Sequence, residues 1–359
     1  MSSVPLAISA STPADYRRLG ISPGRIEPWE DGARTDNRRG TYEWWYFDAH
    51  LDDGSKLVVV FMNKDLTTPD KPLAPLIRLN LDLADGRRFE RIVSFPRKSW
   101  SAARAQADVR IGDNRFTGDL TTYRIHAVVE EIEVSILLTG TIPAWRPETG
   151  HMLFGEHRSL EFAWLPAVPE GRVEVTYNIE GETHTSTGIG YHDHNWGNVA
   201  LMKVIHDWYW ARGKAGPYTV IASYITAHRR YGFTAIPIVM LAKDGQIIAD
   251  DASKVRFETE DVFIDSFTRK PVAGVTRYIH TDGDERFVIT FTRREDLTRA
   301  RMIESITGIK RVAARAMHFD GAYLRFTGEF IVQRFERDIL VEEHASDAIW
   351  ELMYFGHPR

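Results

Sequence analysis

No cysteine occurs in the 359 residues, which excludes a disulfide framework, a thiolate nucleophile and any cysteine-bound zinc or iron–sulfur centre. Excess positive charge is missing too. The 45 Lys and Arg are outnumbered by 50 Asp and Glu, well mixed along the chain, for a formal net charge of -5. Without a basic field to attract phosphate backbones, nucleic acid is not an expected partner. No apolar run approaches the roughly 20 residues a membrane span needs. The first twenty residues carry Pro5, Pro13, Asp15, Arg17 and Arg18 with no long apolar core, unlike a secretory leader. These absences together read as a cytoplasmic chain with no integral membrane segment. There is also no βαβ pattern, no GxGxxG and no phosphate-binding glycine loop, and we expect no cofactor.

What is present is aromatic. Ten Trp and eighteen Phe accompany 43% hydrophobic and 26% charged residues, a soluble globular profile with substantial cores. The length suggests two domains. So many large rings supply either β-sheet packing or an aromatic-lined ligand cavity.

Residues 1–40 hold Pro, Gly and charges without a sustained period and read as an arm that wraps the fold or frays. From Tyr42 the pattern changes: Glu43 to Leu51, a turn at Asp52-Asp53-Gly54, then Leu57 to Phe61 reads as a hairpin. The same grammar recurs around Ala84-Asp85-Gly86, Gly112-Asp113-Asn114, Glu180-Gly181, Asp244-Gly245 and Asp282-Gly283. Ile77, Leu79, Leu81 and Leu83 alternate with polar residues, as in a half-buried strand. Prolines at Pro143 to Pro147 and in Leu165 to Pro169 suggest a connection or lid, and Ala300 to Met317 has a helix-like mixture. Many short strands imply an antiparallel sandwich or barrel. One internal echo sets the organisation. Asp207-Trp208-Tyr209-Trp210, a glycine turn and a β-branched return strand repeat Glu43-Trp44-Trp45-Tyr46, Gly54 and Leu57 to Phe61, as two tandem modules would. We therefore expect two all-β domains, 41–197 and 198–359.

Chemistry concentrates in Gly188 to Gly197, Gly-Ile-Gly-Tyr-His-Asp-His-Asn-Trp-Gly. On a strand, alternation puts His192, His194 and Trp196 on one face and Tyr191, Asp193 and Asn195 on the other. Two His on one face raise the question of a metal, for which His206 is the nearest third ligand. A general base or donor oriented by a carboxylate needs fewer assumptions, and no metal is expected. Asp193 and Asn195 could equally tie the connection together while the other face reacts. Glu43 and Asp207, at equivalent places in the two modules, call for partners, expected as Arg or His of the other module.

Glu43-Trp44-Trp45-Tyr46-Phe47-Asp48, then Tyr191 to Gly197, then Asp207 to Trp210, resemble the carotenoid 1,2-hydratase family, also called hydroxyneurosporene synthase-like or AttH-like, from about Tyr42 onward. The resemblance implies a pair of lipocalin-like β-barrels. It also implies functional roles for His194 and Trp196, and for a Tyr and an Asp on the next strand; here that strand offers Tyr224, with Thr226 where the acid is expected. Adding water to an unactivated alkene requires protonation at carbon, which a buried, protonated carboxylic acid supplies, and aromatic faces stabilise the resulting cation. The expectation is a cofactor-independent lyase or isomerase acting on an apolar polyene, terpenoid or polyketide-like small molecule. Hydration or dehydration of a carbon–carbon double bond, in an aromatic pocket where the modules meet, is the specific reading. Catalytic candidates are His194, Asp193, His192 and Glu43; the ligand wall would be Trp44, Tyr46, Trp196, Trp208 and Tyr224. A pericyclase or cyclase, and a non-catalytic lipocalin-like carrier of hydrophobic ligands, are the alternatives.

Overall fold

The computed structural model describes residues 6–65, 68–304 and 320–358. Chain contacts divide them into two compact units, one spanning Ser9–Leu201 and the other Met202–Arg359 with the first residues of the chain. The chain is nearly all β, in curled antiparallel sheets.

A short strand β1 (Ala7–Ser9) and helix α1 (Pro13–Leu19) precede the main sheet of the first unit. Its strands are β2 (Tyr42–Leu51), β3 (Lys56–Met62), β4 (Leu76–Asp82), β5 (Arg88–Ser94), β6 (Trp100–Ala102), β7 (Ala107–Ile111), β8 (Asn114–Gly118), β9 (Thr122–Val129), β10 (Ile132–Gly140), β11 (His151–Phe154), β12 (Leu160–Ile179) and β13 (Glu182–Gly197). The hydrogen-bonded order is β5-β4-β3-β2-β13-β12-β10-β9-β8-β7-β6, with β11 laid on β12. Because β4 and β5 come round toward β9, the sheet curls around its own apolar face. Alternation explains which face that is. On β10, Ile132, Val134, Ile136 and Leu138 are buried while Glu133, Ser135 and Thr139 point out, and Ile77, Leu79 and Leu81 of β4 do the same. Together with Trp45, Phe47 and Trp196 they fill one continuous core.

The turns follow from their residues. At Glu180-Gly181 and Asp244-Gly245 both central residues have positive φ, 54° and 84° in the first and 49° and 80° in the second. That geometry matches the right-handed strand twist and favours Asp, Asn and Gly.

The second unit contains β14 (Ile205–Ala215), β15 (Tyr218–Ala227), β16 (Ala235–Lys243), β17 (Gln246–Ala249), β18 (Val255–Glu260), the short β19 (Phe263–Ile264) and β20 (Pro271–Val272), then β21 (Val275–Asp282), β22 (Glu285–Arg301), β23 (Ala322–Glu336) and β24 (Ile339–Tyr354). Its order is β17-β16-β15-β14-β24-β23-β22-β21-β18. Tyr209, Tyr218, Phe291, Phe330 and Trp350 lie in its core.

Three local expectations change. Leu165 to Pro169 is part of the long strand β12, not a lid: the register shifts twice, between Leu165 and Val168 and between Val168 and Gly171. Bulges are where a strand tolerates proline, since the extra residue leaves the ladder. Ala300 and Arg301 end strand β22 and a single 3-10 turn follows at Met302–Glu304; the remainder of the helix-like stretch to Met317 lies outside the described residues. Ahead of β2, α1 carries a reciprocal Thr12–Asp15 capping box. Pro28–Asp31 then forms a 3-10 turn whose Glu30 and Asp31 are buried.

Candidate active site

Strand β13 runs between β12 and β2, and its register decides what meets what. His192 lies across from Phe47, Asp193 from Tyr46, His194 from Trp45, and Asn195 from Trp44. The two faces anticipated from alternation are present. His192, His194 and Trp196 face the core, and Tyr191, Asp193 and Asn195 face away from it.

On the core face both imidazoles are fully buried. His192 is wedged against Phe116 and Tyr123, with ring centroids 4.7 and 4.4 Å away. Its Nδ1 points at the Tyr46 carbonyl at 2.8 Å and its Nε2 at Asp31 Oδ2 at 3.1 Å. His194 stacks flat on Trp45 at 4.2 Å; its Nε2 meets Glu43 Oε1 at 3.0 Å and its Nδ1 lies 3.4 Å from Asp31 Oδ1. Glu43 also accepts from the Arg34 and Thr35 backbone N–H groups and from Thr35 Oγ1. Asp31 accepts a 2.5 Å hydrogen bond from the Tyr123 hydroxyl, and its carbonyl accepts from Trp45 Nε1. Two carboxylates and two imidazoles thus share one water-excluded cluster, the arrangement in which buried charges are tolerated. Trp196 packs on His194 and meets His151 edge-on; burial pushes the His151 imidazole down to about 4.

The opposite face is organised around Asp193. Its Oδ2 accepts from Trp164 Nε1 and from the Tyr191 hydroxyl, both at 2.8 Å, and its Oδ1 accepts from Asn195 Nδ2 at 2.7 Å. Burial raises the carboxyl to about 6, while those donors and the neighbouring His192 hold it from going higher. Trp44 and Tyr46 lie half-buried on the same face. Trp44 stacks between Tyr42 and Phe162, and Tyr46 meets Tyr191 edge-on. Val58, Val60, Met62 and Leu76 extend this surface as an apolar cluster separate from the core.

The other candidates lie in the second unit. Trp208 of β14 meets Phe355 edge-on, and Tyr224 of β15 stacks on Phe257 at 4.1 Å. Tyr224 pairs with Tyr209, so Trp208 and Tyr224 point to opposite faces of their sheet. Glu43 and Asp207 occupy equivalent inward positions, but the expected partners from the other module are not what they find. Glu43 takes His194 of its own unit, and Asp207 takes His206 at 2.5 Å. Thr226, where the resemblance implied an acid, donates to Asp207 at 3.1 Å, so a carboxylate stands one strand over from that position. His206, considered as a third metal ligand, is held by Asp207 and by the His357 carbonyl. Among the described residues no three His, Asp or Glu groups converge as a metal ion would require.

The structure adds Asp31, Tyr123, Trp164 and Tyr191 to the site. Tyr191 stood inside the quoted motif, but nothing in the sequence around the other three marks them: each reaches β13 only through the tertiary fold.

A family model described as Diels-Alderase-like matches residues 37–282. The quinolone epoxide rearrangement protein asqO of Emericella nidulans is 28% identical over 198 residues, covering 50% of this chain and 53% of that protein. The acyclic carotenoid 1,2-hydratase of Thiocapsa roseopersicina is 29% identical over 237 residues, 62% of this chain and 57% of that one. The chain spans about half the length of the curated relatives it matches. Among solved structures, kievitone hydratase from Nectria haematococca shares the fold, with a TM-score of 0.56 at 13% identity, over 93% of this chain and 94% of that one.

Proposed function

The chain belongs to the Diels-Alderase-like family, and from that membership we propose a cofactor-independent lyase or isomerase of apolar polyene, terpenoid or polyketide-like molecules, with Asp193 as the proton-transferring group. The observation that carries this reading is the placement of Asp193, a carboxyl buried on the face of β13 that also presents Trp44 and Tyr46, where burial raises it to about 6. A group that titrates near neutrality is populated in both forms there, which suits one side chain to both donate and accept a proton.

In the hydration direction, protonated Asp193 gives its proton to one alkene carbon as the π bond breaks, leaving a carbocation at the other. The faces of Trp44 and Tyr46 stabilise that cation, at about 0.5–2 kcal/mol per ring where water is excluded. Water adds to the cation, and the proton it sheds returns to the Asp193 carboxylate. Dehydration is the reverse. His192, His194 and Glu43 are assigned positioning roles in this scheme, because they lie on the core face of the β2–β13 ladder, away from Trp44 and Tyr46.

The family description supports a second reading, in which the same surface folds a polyene for pericyclic closure and Asp193 donates a hydrogen bond to a carbonyl of the substrate. Incubation with a panel of apolar polyenes, followed by mass and retention time, separates the two. Gain or loss of one water supports proton-transfer chemistry, and unchanged mass with altered retention supports closure. Recovery of unaltered ligand would favour carriage without catalysis. Asp193→Asn should abolish the change in water content; full turnover by that variant would overturn the assignment.

A further inference from the structure

We infer that Asp31 is a positioning residue for Asp193, acting through His192 across the thickness of the sheet. The inference rests on the proposed role of Asp193 and concerns how that group is kept in its working state.

The path is a set of direct contacts. Asp31 enters the core from the 3-10 turn before β2 and receives His192 Nε2 at 3.1 Å. The other ring nitrogen, Nδ1, is 2.8 Å from the Tyr46 carbonyl. A carbonyl only accepts, so Nδ1 carries a proton and donates to Tyr46, while Asp31 on Nε2 holds the ring in that orientation. Tyr46 is the residue opposite Asp193 in the β2–β13 ladder. Its ring reaches the other face and packs edge-on against Tyr191, whose hydroxyl donates to Asp193. His192 therefore fixes the backbone opposite Asp193 and, through the Tyr46 ring, the position of the Tyr191 donor.

Other groups face these two from each neighbouring element, and they set the background. Tyr123 donates to the same Asp31 oxygen. His194 sits between the other Asp31 oxygen and Glu43. On the far side, Trp164, Tyr191 and Asn195 face Asp193, and Asp48 lies across from Tyr191. Of these, Tyr191 is the donor that the His192–Tyr46 contact keeps in place, and its hydrogen bond favours the carboxylate form. Asp31→Asn puts an amide in place of the carboxylate that holds the ring, so the grip on the Tyr46 carbonyl and, through Tyr46 and Tyr191, the hydrogen bond to the Asp193 carboxylate weaken.

The test needs no substrate. The full chain, labelled with 13C at the aspartate carboxyl carbons, is titrated by NMR, with the Asp193 signal assigned from the Asp193→Asn spectrum. In Asp31→Asn the Asp193 midpoint should move upward, as weakening a hydrogen bond to the charged form does. A folded Asp31→Asn protein whose Asp193 midpoint stays in place would overturn the inference. Should that variant not fold, 15N shifts of His192 in the unaltered protein decide instead: a proton on Nδ1 supports the path, and a ring protonated on Nε2 alone refutes it. Failure of the catalytic reading looks different, with Asp193→Asn keeping full turnover whatever the titration shows.

Discussion

Replacing Asp193 by asparagine should change how stability depends on pH, in a direction fixed by the burial of that side chain. The carboxyl moves from an ordinary 3.8 in the unfolded chain to about 6 in the folded one. Well below 3.8 both states hold the proton and the group adds no pH dependence to the balance. As the pH climbs through the unfolded value, the unfolded chain releases its proton while the folded chain keeps it, so stability falls. The fall ends once the folded group ionises near pH 6. Two units at about 1.4 kcal/mol each amount to about 3 kcal/mol of stability lost between about pH 3 and pH 7. The Asp193→Asn variant lacks this term. Its amide must turn N–H groups toward at least one of the three donors now aimed at the carboxylate, a cost of about 1–3 kcal/mol that does not vary with pH. Urea unfolding of both proteins at half-unit steps from about pH 3 to pH 8 reads the slope directly, because titrating groups remote from Asp193 cancel in the difference. Wild-type stability minus variant stability should drop by about 3 kcal/mol across that window. A difference that stays level to within about 0.5 kcal/mol would refute the claim that the folded protein keeps this acid protonated.

Three further outcomes are expected. Glu43→Ala leaves His194 Nε2 and the Arg34 and Thr35 donors without their acceptor; breaking a buried pair costs about 3–5 kcal/mol, seen as a melting temperature lower by about 10 °C, and an unchanged melting curve would contradict the cluster. Trp164→Phe deletes one 2.8 Å donor to Asp193, so the Asp193 midpoint should rise above its wild-type value in the NMR titration. Gly197→Ala would place a Cβ 2.4 Å from the Tyr42 hydroxyl and 2.9 Å from the Glu161 carbonyl; overpacking of that kind costs about 1–3 kcal/mol, measurable as a lower urea midpoint.

The division of the central motif into two faces was legible because β13 keeps a strict period of two through His192 to Trp196, and a period is a local property. The same holds for the inward run Ile77, Leu79 and Leu81, and for the Asp-Gly turns. Pro166 and Pro169 misled because two bulges absorb them inside β12, and a bulge depends on the partner strand as much as on its own residues. The echo of Glu43 in Asp207 correctly matched two inward-facing acids, yet it could not show that each binds a histidine within its own unit. Asp31 was the least legible. Its neighbours in sequence have no period, and what makes it important lies in β9 and β13.

That last contact has a consequence for the order of events during folding. Asp31 and His192 are separated by 161 positions, and Tyr123 is 92 positions from the same carboxylate. Contacts so distant along a chain form late and slow folding. A ribosome delivering this protein will have released the Asp31 turn long before the strand it must meet exists. Until β13 emerges, the first unit has a carboxylate without its histidine and a sheet without the strand joining β2 to β12. Co-translational folding of this unit should therefore show one late, abrupt step as the residues of β13 clear the exit tunnel, in place of a gradual build-up from the N-terminus.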